Sequence, residues 1–376
     1  MRIGIVCYPT FGGSGVVATE LGMALADKGH EVHFITYNQP VRLDFFSHRL
    51  HFHEVVLEEY PLFQYQPYEL ALSSKMVEVV EKFQLEVLHV HYAIPHAYAA
   101  YMAKKMLLDK EIHVKVVTTL HGTDITLVGS HPTYKTAVEF SINKSDEVTA
   151  VSNSLKADTL RLFNIEKDIK VIYNFIDGEK YAKAHQDECK RTALAAPEEK
   201  ILTHVSNFRP VKRTDDVIRI FNKVQKEIPS KLLMVGDGPE RLKAENLVKE
   251  LAIEDKVLFL GNSNEVAKIL CYSDVFLLPS ETESFGLAAL EAMAASTAVI
   301  STNCGGLPEV NINGETGYLS NLGDVDDMAK NAIKILKDDA VLNQFKINAK
   351  EHIKLFSLEK ILPVYEEIYK KCSVTV

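Results

Sequence analysis

Two hydrophobic periods alternate along the chain. Strand-like apolar runs lie at residues 3–8, 31–37, 86–92, 114–120, 147–152 and 169–173, and the better defined of them are too apolar to have a face for water, which predicts buried strands of a parallel sheet. Between them lie helical patterns long enough for right-handed crossovers. In 15–28, for example, Val17, Leu21, Ala24 and Leu25 recur at spacings of three and four. After a polar stretch at 177–200, rich in Lys, Glu, Asp and Ala, the alternation restarts, with strands predicted at 201–206, 231–235, 257–261, 274–278 and 298–301. The polar stretch reads as an interdomain connection. Three helical patterns close the chain, the last at 357–371. The fold class is therefore α/β, with two doubly wound, Rossmann-like units. In such units ligands bind beyond the carboxyl ends of the strands, so a cleft between two of them is the expected place for chemistry.

Length and composition narrow this picture. A chain of 376 residues exceeds one ordinary core. The net charge of -9 argues against nucleic acid as a partner, because phosphate neutralisation needs a basic surface. No run of about 18 apolar residues is present to span a bilayer, and the N-terminus enters a strand directly at 2–8. A soluble, cytoplasmic protein without membrane partners is expected. Cys7, Cys189, Cys271, Cys304 and Cys372 show no CxxC spacing, and their odd number rules out complete pairing, so they read as free thiols. His89, His91 and His96 cluster in sequence, and strand alternation puts the first two on one face. No carboxylate or cysteine stands at ligand spacing, so a structural or substrate-contact role is expected.

Four loops carry candidate chemistry. Tyr8-Pro9-Thr10-Phe11-Gly12-Gly13-Ser14-Gly15 joins the first strand to a helix and fits either a phosphate approached by backbone N–H groups or a plain tight turn. In Thr118-Thr119-Leu120-His121-Gly122-Thr123-Asp124, His121 suits hydrogen bonding to a sugar or carboxylate, or capping of its own loop. Ser206-Asn207-Phe208-Arg209-Pro210-Val211-Lys212-Arg213 places cations where a leaving diphosphate needs neutralising; a merely solvated role fits Arg213 better than Arg209 or Lys212. In 279–293, Glu283 and Glu291 have seven residues between them. On one helix they would stand roughly 11 Å apart, too far to share a substrate atom, so one should hold a sugar and the other a nucleoside.

The Glu-x7-Glu element, together with Val235-Gly236-Asp237-Gly238-Pro239-Glu240, Tyr173-Asn174-Phe175-Ile176-Asp177 and the glycine-rich first loop, resembles the family-4 retaining glycosyltransferases of GT-B fold over essentially the whole chain. The resemblance implies that Glu283 contacts the transferred sugar, Glu291 the ribose, and Arg209 and Lys212 the diphosphate, with His121 beside the sugar. Gly13, Asn262, Ser284, Phe285, Gly286 and Leu287 complete the implied donor site. The family's usual arginine, five positions before the lysine, is Asn207 here, and Arg209 is taken in its place. His91-Tyr92-Ala93-Ile94-Pro95-His96-Ala97 and the His121 and Lys212 loops narrow the resemblance to members that transfer N-acetylglucosamine from UDP to L-malate, a small anionic acceptor. Ser14, Tyr92, Thr119 and Asn153 are the candidate acceptor contacts. The resemblance also implies chemistry without metal or cofactor, and Asp324-Val325-Asp326 reads as a helix start, not a metal motif. It implies domains at 1–176 and 177–356, with a final helix at 357–376 returning to the first; homo-oligomerisation is left open. The rival readings are another small soluble acceptor, nucleotide-sugar epimerisation and non-catalytic nucleotide-sugar sensing.

Overall fold

The computed structural model describes residues 1–10, 12–43, 47–58, 61–184 and 191–373. Cys189, Phe11 of the first loop and 374–376 of the final helical segment lie outside the described residues. The chain divides into two compact units, one made of Met1–Asn174 with Leu358–Val376, the other of Phe175–Ser357.

The first unit holds strands β1 (Arg2–Val6), β2 (Glu31–Thr36), β3 (Leu50–Glu54), β4 (Val87–His91), β5 (Lys115–Leu120), β6 (Glu147–Ala150) and β7 (Ile169–Val171). They pair in parallel in the order β3-β2-β1-β4-β5-β6-β7. The apolar runs mark six of these strands to within a residue or two, the usual uncertainty of element ends. β3 was not expected. Its sequence, Leu-His-Phe-His-Glu, alternates apolar with polar residues and so lacks a continuous apolar run; it lies at one edge of the sheet.

One sheet face is covered by helices Tyr68–Phe83 and Tyr98–Leu108, which bury Leu72, Met76, Ala99 and Ala103 against Leu88 and Val90. Helix Leu358–Ser373, at the far end of the sequence, also belongs to this unit. Its Tyr369 hydroxyl lies 2.7 Å from His89 Nδ1, and its Glu366 Oε1 lies 2.9 Å from His30 Nε2. Tyr365 and Tyr369 are fully buried.

The second unit repeats the design with β8 (Lys200–Val205), β9 (Ser230–Val235), β10 (Val257–Gly261), β11 (Val275–Leu278), β12 (Ala298–Thr302) and β13 (Gly317–Ser320), in the order β10-β9-β8-β11-β12-β13. β13 also lay outside the expected strands; it is four residues long, at the other edge. Helix Thr214–Val224 turns Val217, Ile220, Phe221 and Val224 into a core shared with Met328 and Ile335. Asp324 caps helix Val325–Leu336 by accepting the Asp327 N–H at 3.0 Å, and Asp326 pairs with Lys223 at 2.7 Å. The polar 177–200 stretch is not all connection: Gly178–Ala184 forms a helix that buries Tyr181. Among the described residues Cys7, Cys271, Cys304 and Cys372 are free, and no helix is long and apolar enough to cross a membrane.

Strand order reverses direction between β1 and β4 in the first sheet and between β8 and β11 in the second. At such a reversal the loops leaving two adjacent strands part to opposite faces and leave a crevice. The candidate loops after β1, β8 and β11 leave strands at these two points, and the His121 loop leaves β5, next to β4.

Candidate active site

In the second unit, the loop after β8 is fixed by Phe208, fully buried at a backbone φ of 37°. Its carbonyl accepts the Glu240 N–H at 2.9 Å, so the Val235-to-Glu240 motif supports the loop from below. Asn207 and Arg209, on either side of this anchor, are exposed. Lys212 ends the short 3-10 turn Pro210–Lys212, with Nζ 2.5 Å from Glu283 Oε1 on the loop after β11. The Ser280 hydroxyl donates to that same oxygen at 2.9 Å, and the Glu281 N–H donates to the Val211 carbonyl at 2.8 Å. Side chains and backbone thus join the two switch-point loops around one half-buried ion pair. Arg213 is engaged elsewhere, with Asp216 at 2.5 Å.

Glu283 and Glu291 do not share a helix. The helix begins at Leu287, capped by Gly286, so Glu291 is helical while Glu283 stays on the loop with Ser284 and buried Phe285. The helical spacing therefore does not apply, and partners separate the two carboxylates instead. Glu291 Oε1 accepts a hydrogen bond from the Tyr181 hydroxyl at 3.0 Å. The first turn, at Leu287, presents backbone N–H groups that the helix cannot satisfy itself. A third loop, after β12, went unnoticed in the sequence: the Gly306 N–H donates to the Glu283 carbonyl at 2.8 Å, and any Cβ on Gly305 would overlap that carbonyl. Two consecutive glycines shortly after a strand are its signal. Asn262 follows β10 and is exposed.

In the first unit, Gly13 opens helix Gly13–Asp27, and Gly15 packs so tightly under the turn that a Cβ would strike the Tyr8 and Thr10 carbonyl oxygens. Ser14 Oγ lies 2.7 Å from Tyr92 Oη, joining the loops after β1 and β4. His121 Nε2 lies 2.8 Å from His91 Nδ1. Burial lowers the His121 pKa to about 3, so its ring is neutral near pH 7. Asp124, not singled out beforehand, ties these loops together: it accepts the N–H groups of Ala93 at 2.7 Å and Gly122 at 3.0 Å. Burial raises its pKa to about 6 against the opposing pull of those hydrogen bonds. The His89, His91 and His96 rings are all buried; His89 Nε2 meets Thr119 Oγ1 at 2.7 Å, and His96 Nδ1 meets the His91 carbonyl at 2.5 Å.

Thr119 needs correction as an acceptor contact. It is fully buried, and its hydroxyl already engages His89 and, at 2.7 Å, Thr149 Oγ1. Strand alternation turned it inward, toward Tyr365 of the final helix. Asn153, by contrast, is exposed at the start of helix Asn153–Leu162, with Nδ2 2.9 Å from the Tyr173 hydroxyl.

Residues 11–180 match the family model described as Glycosyltransferase Family 4, and residues 186–352 match that of Glycosyl transferases group 1. The N-acetyl-alpha-D-glucosaminyl L-malate synthase of Bacillus anthracis is 50% identical over 370 residues, covering 98% of this chain and 96% of that protein. Among solved structures, a sucrose-phosphate synthase from Thermosynechococcus elongatus superposes with a TM-score of 0.80 at 23% identity, over 99% of this chain and 98% of the other. Anabaena HepE, solved with UDP and glucose, gives a TM-score of 0.80 at 17% identity with full coverage of both chains, 100% and 100%. The chain belongs to the family-4 glycosyltransferases of GT-B fold, and it is an enzyme of that class.

Proposed function

We propose that this glycosyltransferase moves N-acetylglucosamine from UDP-N-acetylglucosamine to the hydroxyl of L-malate with retention, giving the α-glycoside that begins bacillithiol biosynthesis in the cytoplasm. The observation that carries this reading is the 50% identity to the Bacillus anthracis L-malate synthase along nearly the full length of both chains.

The second unit supplies the donor site. Lys212 and Arg209 neutralise the diphosphate, with the N–H groups at Leu287 adding partial positive charge. Lys212 turns from Glu283 toward the phosphates as the donor binds, which frees the Glu283 carboxylate for sugar hydroxyls and for the positive charge that develops at the anomeric carbon. Glu291, held by Tyr181, binds the ribose. Gly13, Asn262, Ser284, Phe285, Gly286 and Leu287 line the donor. Neutral His121 orients the sugar.

The first unit supplies the acceptor site, in which Ser14, Tyr92 and Asn153, with the N-terminus of helix Gly13–Asp27, bind the malate carboxylates. The malate oxygen bonds to the anomeric carbon on the face from which the phosphate oxygen departs, and its proton passes to that phosphate oxygen. No protein nucleophile is required. No metal is required either, because cationic side chains and a helix terminus stabilise the leaving group.

The test is incubation with UDP-N-acetylglucosamine, with and without L-malate, in excess EDTA, followed by mass and NMR analysis. The expected result is malate-dependent release of UDP and an α-linked product at an undiminished rate. A β-linked product overturns retention, and turnover lost in EDTA but restored by magnesium overturns metal independence. An epimerised nucleotide sugar in the malate-free arm identifies the rival activity.

The two sites separate kinetically. Ser14→Ala and Tyr92→Phe each raise the malate KM by about tenfold, the scale of one hydrogen bond to a charged group, and leave the donor KM nearly unchanged. Because the two hydroxyls bond each other, the double variant loses less than the product of the single effects. Glu291→Ala raises the donor KM instead. A shift of donor KM in the Ser14 variant would contradict the division.

A further inference from the structure

Glu31 and His33 on β2 and His51 and His53 on β3 form a cluster that the transfer reaction does not use. The parallel register pairs His33 with His51, and alternation puts all four side chains on the face where Phe83 lies. The Phe83 ring centroid is 4.6 Å from that of His33 and 5.0 Å from that of His53. Glu31 Oε1 stands 3.4 Å from His33 Nε2 and 3.3 Å from His51 Nε2.

Three features point to a ligand there. His33 is fully buried, yet neither His33 Nε2 nor His51 Nε2 has a hydrogen-bond partner among the described residues. The other nitrogen of His33, Nδ1, lies 2.9 Å from His53 Nε2. Donation of the Nδ1 proton to His53 leaves the Nε2 lone pair of His33 facing Glu31, an arrangement of two electron-rich atoms that calls for an electrophile between them. An outer hydrogen bond of this kind commonly fixes the tautomer of a metal-bound histidine. The spacing also fits: a tetrahedral ion with ligands at about 2.0–2.1 Å has ligand-to-ligand edges of roughly 3.3–3.4 Å.

We propose that Glu31, His33 and His51 bind a divalent transition-metal ion of the zinc type, with His53 orienting His33 and solvent taking the fourth position. Two imidazoles and one carboxylate select such an ion over magnesium or calcium, which prefer all-oxygen shells. Arg2 acts on His33, and Lys75, Lys82 and Glu78 act on His53, so the surrounding charge is mixed and the lone pairs carry the binding. The ion ties edge strand β3 to β2. Its role is structural and separate from the transfer chemistry.

The test uses tag-free, full-length protein stripped with EDTA and titrated with cobalt(II), then with zinc(II) against a chromophoric chelator. One equivalent is expected, with the strong visible bands of four-coordinate cobalt, displacement by zinc, and a higher Tm in the zinc-bound form. Glu31→Gln and His51→Ala alter partly exposed side chains, and their metal-free Tm values check that they fold. Each should lower zinc affinity by more than the roughly 10–100-fold typical of losing an outer-shell partner, and His53→Gln should lie within that range. No stoichiometric binding by the wild-type protein overturns the proposal, as does equal binding by Glu31→Gln and His51→Ala. Transferase turnover, measured separately, should not differ between metal-free and zinc-bound protein.

Discussion

Replacing Lys212 with alanine should lower kcat by about 10²–10³-fold at saturating donor, the range found when one preorganised charge-stabilising group is removed from a transition state. In the proposed donor site the ground-state diphosphate already has other donors, in Arg209 and the N–H groups at Leu287. What the ammonium adds is greatest when the bond to the anomeric carbon breaks and the departing phosphate gains charge. In the donor-free protein the substitution also strips Glu283 of a counter-charge 2.5 Å away, a loss that bears on the resting site and not on kcat at saturating donor. Lys212→Arg should recover only part of the rate, since a planar guanidinium cannot occupy the place of a compact ammonium. Arg213→Ala is the control. Its side chain is committed to Asp216, and kcat should change little. Steady-state kinetics with both substrates saturating decides the matter, and a wild-type kcat for Lys212→Ala rules out the leaving-group role.

Removing the chain from Ser357 onward should unfold the first unit while the second keeps its own sheet. The lost helix contributes Ile361, Leu362, Tyr365, Ile368 and Tyr369, all buried. It also partners His89, whose ring is fully buried. Without it, the polar network of His89, Thr119 and Thr149 faces water on a surface that β4, β5 and β6 do not otherwise cover. Milder variants grade the effect. Tyr369→Ala should cost about 3–5 kcal/mol, as for other large aromatic truncations, and Tyr369→Phe about 1–3 kcal/mol through the unpaired His89 nitrogen. Amide hydrogen exchange followed in peptides from β1, β4 and β5 reads the first unit apart from the second. Protection unchanged by the truncation would show that the helix is dispensable.

Much of this architecture is legible because strands buried on both faces leave a near-continuous apolar signature, as at 3–8 and 298–301. The signature fails at β3, whose Leu-His-Phe-His-Glu alternates apolar with polar residues, and at β13, only four residues long, whereas the other two edge strands, β7 and β10, are legible. That failure has a price for site recognition: His33 and His51 become neighbours only through the β2–β3 register, so the pairing cannot be seen until β3 is known. The Glu283 and Lys212 loops stand out because they lead from strands into helices and carry charge there, with seven residues between Glu283 and Glu291. Tyr181 and Asp124 do not stand out. Each acts through a partner distant in sequence, Glu291 for the first and the Ala93 backbone for the second. Thr119 shows the reverse error, a plausible hydroxyl whose strand parity turns it into the core.

The final helix also sets the order in which the protein can be completed during synthesis. The second unit is continuous in sequence, whereas the first is interrupted by it and lacks Leu358–Ser373 until that later segment has been translated. With about 180 residues intervening and elongation at about 5–20 residues per second, the sheet that carries His89 and Thr119 waits roughly 10–40 s for the helix that covers it. Throughout that interval the nascent chain presents a half-covered parallel sheet, a surface suited to chaperones. The second unit can finish folding first, although its gene segment is read later.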